Sequence, residues 1–149
     1  MDNLSTGRRN SVSYGHFVKG DIVNTLLMEK LFADNQFNGV IHFASFIEVG
    51  ESVREPAKYF HNNFSNTLNL LDTILRHKVN YFIFSSTAAI FGESEALSID
   101  EKDPKQPINP YVRSKQMVEQ ALEDFDKAYG LKSVCLAISM QPAPIQIVN

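Results

Sequence analysis

Four short apolar runs separated by amphipathic stretches constrain this chain more than any other feature. They are His16 to Lys19, Val40 to Ala44, Tyr81 to Ser85, and Ser133 to Leu136. The second and third are almost wholly apolar, as strands are when helices cover both faces of their sheet. Three helical patterns fill the intervals. Thr25 to Asp34 carries Leu27, Leu31 and Phe32 on one stripe. Pro56 to Lys78 carries Phe60, Phe64, Leu68, Leu71 and Leu75, and Asn109 to Tyr129 carries Met117, Ala121, Leu122 and Phe125. Strand and helix in alternation predict an α/β fold on a parallel sheet. Glu93 to Pro107 reads as a polar loop.

Composition narrows the function classes. With 149 residues, 44% of them hydrophobic, the chain has material for one domain with a real core. A net charge of -3 spread over a mixed surface argues against a general nucleic-acid binder. No apolar run is long enough to span a membrane, and no basic-then-apolar leader is present, so a soluble, cytoplasmic protein is expected. Cys135 is the single cysteine, which excludes an internal disulfide framework; its apolar surroundings predict a buried, inert thiol. His42 and His61 lack acidic or histidine partners at metal-ligand spacing, so they read as packing residues and no metal is expected.

One local pattern carries chemistry. In Tyr111-Val112-Arg113-Ser114-Lys115 a tyrosine and a lysine stand four apart, on the same face of a helix. A phenol with a pKa near 10 is a poor acceptor of protons at neutral pH. An ammonium one turn away favours the phenolate and lowers that value. The helix start is well specified: Asn109 suits the N-cap and Pro110 the first helical position. Tyr111 then falls in the first turn, where the helix dipole also favours an anion. A hydroxyl from Ser85, Ser86 or Thr87 would complete a relay to a substrate alcohol. Alone, the pair fits a solvated helix face equally well.

The surrounding stretches resolve that ambiguity through resemblance. DNLSTG (residues 2–7), GDI (20–22), VIHFAS (40–45), VGESVREP (49–56), the pair Asn62 and Asn63, FIFSSTAAIFGE (82–93) and NPYVRSKQMVEQ (109–120) occur in order and at family spacing. In these the chain resembles the extended short-chain dehydrogenase/reductase family, and within it the UDP-glucose 4-epimerases. The 4,6-dehydratases place an acidic pair after the active-site threonine, where this chain has Ala88 and Ala89. The resemblance implies NAD as cofactor and a UDP-sugar as substrate, with a homodimer as the common family assembly. A dehydratase or reductase on another nucleotide sugar is the competing reading within the family. A non-enzymatic half-domain that pairs with a separate piece is the third.

The resemblance also implies roles. Tyr111 is expected to be the catalytic base toward the sugar 4-hydroxyl, Lys115 its partner at the nicotinamide ribose, and Thr87 the relay hydroxyl beside the substrate. Ser85 would lie beside the nicotinamide. Asp2 and Asn3 would meet the adenine ribose, an acidic group there favouring NAD over NADP. Asp21 and Ile22 would contact the adenine, with Phe43, Ala44 and Ser45 along the cofactor and Asn63 facing it from the next helix. Two departures stand out: Ile47 occupies the position of a usual lysine, and Ser45 that of a common glycine.

The family opens with a strand, a Gly-x-x-Gly-x-x-Gly turn and a helix that receives the pyrophosphate. This chain carries no such unit, so residues 1–136 are expected to form an incomplete NAD-binding Rossmann domain without its first strand and glycine-rich loop. That strand is the centre of the doubly wound order, and its loss would separate residues 16–19 from the rest and leave bare edges. After Leu136 the family continues Arg-Tyr-Phe-Asn-Ala-Ala, whereas this chain reads AISMQPAPIQIVN. Loss of one base in the Arg codon converts the first reading into Ala-Ile-Ser-Met-Gln-Pro. Residues 137–149 are therefore expected to be a frameshifted tail, with the substrate domain absent.

Overall fold

The structure, a computed structural model, describes residues 1–92 and 100–138. Its sheet has three parallel strands in the order β1 (Gly39–His42), β2 (Tyr81–Thr87) and β3 (Lys132–Ile138). Ile41 pairs with Ile83, which pairs with Val134; His42, Phe84 and Cys135 form the next rung. The helices are α1 (Thr25–Asp34), α2 (Val49–Arg54), α3 (Pro56–Tyr59), α4 (Asn66–Arg76) and α5 (Pro110–Tyr129). Each β-strand of the sheet follows a helix, so the parallel α/β reading holds.

Local chemistry accounts for the helix ends. The Asn24 side chain accepts from the Leu27 amide at 3.0 Å and starts α1. Asn109 does the same for α5, accepting from the Val112 amide at 2.9 Å, with Pro110 at the first position. Gly130 ends α5 in the left-handed region at φ 74°, where a side chain would be strained. The span predicted as one helix from Pro56 to Lys78 is helical from Pro56 to Arg76 but changes pitch, and it ends in a turn at His77 and Lys78. Residues Phe60–Ser65 form a π-helical turn between α3 and α4. The short helix α2 was not foreseen, because six residues cannot display a helical period.

One face of the sheet carries the core. Val40, Phe82 and Phe84 pack with Met28 and Phe32 of α1, Leu70, Leu71 and Ile74 of α4, and Val118 and Leu122 of α5. Burying these side chains contributes about 1.5–3 kcal/mol each. The alternate residues point the other way and stay open: Ile41 is 62% exposed, Tyr81 61% and Val134 55%. The expectation of strands covered on both faces is thus corrected. The three long helices share a single cluster, and no described element packs on the opposite face. Cys135 is likewise exposed rather than buried, because β3 is an outer strand.

The run His16 to Lys19 does not form a strand. Only Lys19 pairs, in a parallel bridge with Asp2; the Asp2 amide donates to the Val18 carbonyl, and the Gly20 amide to the Asp2 carbonyl, each at 3.1 Å. With a single residue opposite it, no ladder can propagate. This bridge stands apart from the three-stranded sheet, and a cleft of about 800 Å³ lies between it and β1. At the other end β3 runs through Ala137 and Ile138, paired with Ser86 and Thr87, two residues past the expected strand end. Apolar Leu136-Ala137-Ile138 continues the strand pattern. The rest of the expected tail, 139–149, and residues 93–99 of the expected loop lie outside the described residues.

Candidate functional site

The site residues fall into two groups that meet at Ser45. The first lines the cleft: Asp2, Asn3, Asp21 and Ile22 on one wall, with Phe43, Ala44 and Ser45 on the other. On the first wall the side chains hold turns. Asp2 Oδ1 accepts from the Leu4 amide at 2.6 Å, and Asn3 Oδ1 from the Ser5 amide at 2.9 Å. Asn3 Nδ2 donates to Asp21 Oδ2 at 2.7 Å, so the two polar residues are mutually oriented. The segment after β1 has left the ladder, which leaves Phe43 61% exposed.

The second group gathers where β2 meets the start of α5. The Lys115 ammonium donates to Ser45 Oγ at 2.7 Å and to the Ser85 carbonyl at 2.8 Å, and lies 4.8 Å from the centroid of the Phe84 ring. Lys115 is only 2% exposed. Burial pushes its pKa down from 10.5 to about 8. Tyr111 shares the helix face, with its ring centroid 6.0 Å from the ammonium. Its phenol does not behave as the sequence predicts. Burial raises its pKa, and a hydrogen bond with Thr87 only partly opposes this. Lys115 is turned onto Ser45 and the β2 carbonyl, which commits two of its protons.

Thr87 closes the strand. Its hydroxyl accepts from the Ala89 amide at 3.3 Å, capping the 3-10 turn Ala88–Phe91. Lys115 meets β2 through the Ser85 backbone carbonyl and the Phe84 ring, and Thr87 meets Tyr111 where the strand ends. Ser86 Oγ is buried on the helix-facing side and has no partner among the described residues.

Asn63 has a different task from the expected one. It is fully buried and its amide is saturated. Oδ1 accepts from the Phe46 amide at 2.8 Å and from Asn62 Nδ2 at 2.9 Å; Nδ2 donates to the Phe46 carbonyl at 2.9 Å and to Ser114 Oγ at 3.1 Å. It holds the loop after β1 against α5, and nothing is left over to face a ligand. Its neighbour Asn62 lines the cleft instead.

His42 lies behind the site. Thr67 Oγ1 donates to the Asn63 carbonyl at 2.8 Å, so His42 Nε2, 2.9 Å from that hydroxyl, carries the proton and donates to it. Burial holds its pKa down at about 4, which leaves the ring neutral between Phe82 and Phe84. Sequence reasoning also missed Glu51, which accepts from Tyr59 Oη at 2.8 Å and from Lys58 Nζ at 2.7 Å. A Glu eight residues before a Tyr gives no periodic signal; only the bend between α2 and α3 joins them. Ile47, at the position of the usual lysine, is 42% exposed on the cleft wall.

Parallel strands, helices N-capped at the site and a Tyr/Lys/Thr set at the carboxyl end of β2 define a partial Rossmann-type domain. The family model described as "GDP-mannose 4,6 dehydratase" matches residues 1–148. The chain is 42% identical over 135 residues to the UDP-glucose 4-epimerase of Rhizobium meliloti, covering 91% of this chain and 41% of that protein. With the UDP-glucose 4-epimerase of Azospirillum brasilense the identity is 44%, over 91% of this chain and 39% of the relative. The crystal structure of UDP-glucose 4-epimerase from Brucella ovis in complex with NAD superposes with a TM-score of 0.88 at 43% identity, covering 91% of this chain and 42% of that one. The chain therefore belongs to the family of this model, the NAD-dependent epimerase/dehydratases. It spans about two-fifths of the length of these relatives. Among the described residues, no helix is long and apolar enough to cross a membrane.

Proposed function

We propose that this chain is the NAD-facing portion of a UDP-glucose 4-epimerase, which interconverts UDP-glucose and UDP-galactose in cytoplasmic galactose metabolism, and that the chain as it stands does not turn over. The observation that carries this reading is the meeting of Lys115, Ser85 and Ser45 beside Tyr111 and Thr87. It sits at the carboxyl end of a central strand, where open α/β sheets bind ligands. Tyr111 would accept the proton of the sugar 4-hydroxyl and Thr87 would position that hydroxyl. Lys115 would hold the nicotinamide ribose. NAD, when bound, accepts and returns the hydride at C4.

The donor set fits NAD at its two ends and lacks the middle. Asp2, Asn3, Asp21 and Ile22 form an adenosine wall, and Lys115 and Ser85 a nicotinamide wall. These 149 residues hold no Gly-x-x-Gly-x-x-Gly turn, the unit whose amides would receive the pyrophosphate. Ala88 and Ala89, in the turn after Thr87, offer no acid or base and favour epimerase over dehydratase chemistry.

The cleft between the Asp2/Lys19 bridge and β1 supports a second reading, a half-domain completed by a separate chain. Calorimetric titration with NAD separates the two. The chain alone should bind more weakly than micromolar. Co-expression with a chain carrying a glycine-rich strand-turn-helix should restore binding if complementation occurs. Micromolar binding by the chain alone would overturn the proposal that its cofactor site is incomplete.

A further inference from the structure

We propose that Ser45 is a positioning residue: together with the Ser85 carbonyl, its hydroxyl fixes the buried ammonium of Lys115 and keeps it charged and oriented before any ligand arrives. This rests on the proposed function only in making Lys115 the cofactor-facing lysine; the contact itself is a property of the chain.

Three observations meet at this point. Lys115 is held at 2.7 Å by Ser45 Oγ, a residue 70 positions away on a different element. The same nitrogen donates to the Ser85 carbonyl at 2.8 Å. Two of its three protons are thereby committed, leaving one for a ribose hydroxyl or for the Tyr111 oxygen. The loop that carries Ser45 is itself anchored, because Asn63 bonds both the amide and the carbonyl of Phe46, the next residue. The chain Ser114–Asn63–Phe46 thus sets where Ser45 stands, and Ser45 sets where Lys115 stands.

The electrostatics give the contact its weight. An ammonium that is 2% exposed has lost nearly all its hydration and holds its charge only through the partners it retains. The titratable groups around it are few. His42 on β1 is neutral, and Tyr111 on α5 is a neutral phenol with a raised pKa. β2 contributes the Phe84 ring and a carbonyl, and the π-helical turn contributes the neutral amide of Asn63. No carboxylate is paired with Lys115 among the described residues. The Ser45 hydroxyl is one of two oxygens that favour the charged form. A glycine at this position would leave that proton without a protein partner.

The test is a titration of Lys115 in the ligand-free chain. Lysine side chains labelled with carbon-13 at Cε are followed by NMR from pH 6 to 11, and Lys115→Met identifies the signal. In Ser45→Ala the Lys115 midpoint should fall by about one pH unit, the loss expected for one hydrogen bond to a charged group. Ser45→Thr, which keeps the hydroxyl, should restore it. Far-UV circular dichroism checks that both variants keep the fold. A Ser45→Ala chain that is folded and titrates Lys115 as the wild type does would overturn the proposal. A purely structural role for Ser45 would change stability and leave this midpoint in place. NAD takes no part in the measurement, so failure of the proposed function would not be mistaken for failure here.

Discussion

The side-chain amide of Asn63 donates to the hydroxyl of Ser114 at 3.1 Å, joining the π-helical turn to α5 across 51 residues of sequence. Ser114 Oγ in turn donates to the Tyr111 carbonyl at 2.6 Å. Ser114, the residue before the lysine of the site, therefore ties the first turns of α5 to the π-helical turn. A π-helical turn shifts register by one residue relative to an α-helix, and here it brings Asn63 to the Phe46 backbone and to Ser114 together.

Asn63→Ala should be costly. It strands the Phe46 amide and carbonyl in a part-buried setting, and the loss should be about 2–5 kcal/mol in urea denaturation. Unchanged stability accompanied by weaker ligand binding would return Asn63 to the cofactor-facing role.

The pH dependence of stability should carry the mark of Lys115. Its folded pKa is about 8 against 10.5 for the ordinary group. Between those values the unfolded chain binds a proton that the folded chain does not, so stability rises with pH across the window. Below pH 8 the cost of burying the charge is constant, up to about 3 kcal/mol. The wild-type stability minus that of Lys115→Met should therefore climb from pH 8 to 10.5. A flat difference would show that Lys115 is solvated.

Thr87→Val should raise the Tyr111 pKa further, because the one hydrogen bond that opposes its burial is removed. Carbon-13 labelling at tyrosine Cζ reads this directly. A lower midpoint in the variant would show that the hydroxyl favours the neutral phenol.

Lysine at Ile41 or Val134 should cost less than about 0.5 kcal/mol and should reduce aggregation, since both side chains lie on the open face at 62% and 55% exposure. Losses of several kcal/mol, read from urea midpoints, would mean that this face is covered in solution.

Much of this was legible in the chain. Helix α1 was marked by an apolar stripe, and α5 by Asn109, Pro110 and Gly130, signals that act within one turn and depend on nothing distant. The strands β1 and β2 were marked by continuous apolar runs. The grouping of Asp2, Asn3, Asp21, Ile22, Phe43, Ala44 and Ser45 around one cleft follows the order of the motifs. The run 16–19 misled because β-propensity describes a surface suited to pairing, and only one residue lies opposite to pair with it.

The sequence by itself determined the family and the parallel α/β pattern, because periodicity, caps and motif residues are local. Tertiary structure alone decided which partners these residues meet. It turned Lys115 toward Ser45, buried the Tyr111 phenol so that its pKa is raised, made Asn63 a brace, and left one sheet face open. Those outcomes depend on which groups lose water and which partners come within about 3 Å, and neither is set by neighbours in the chain.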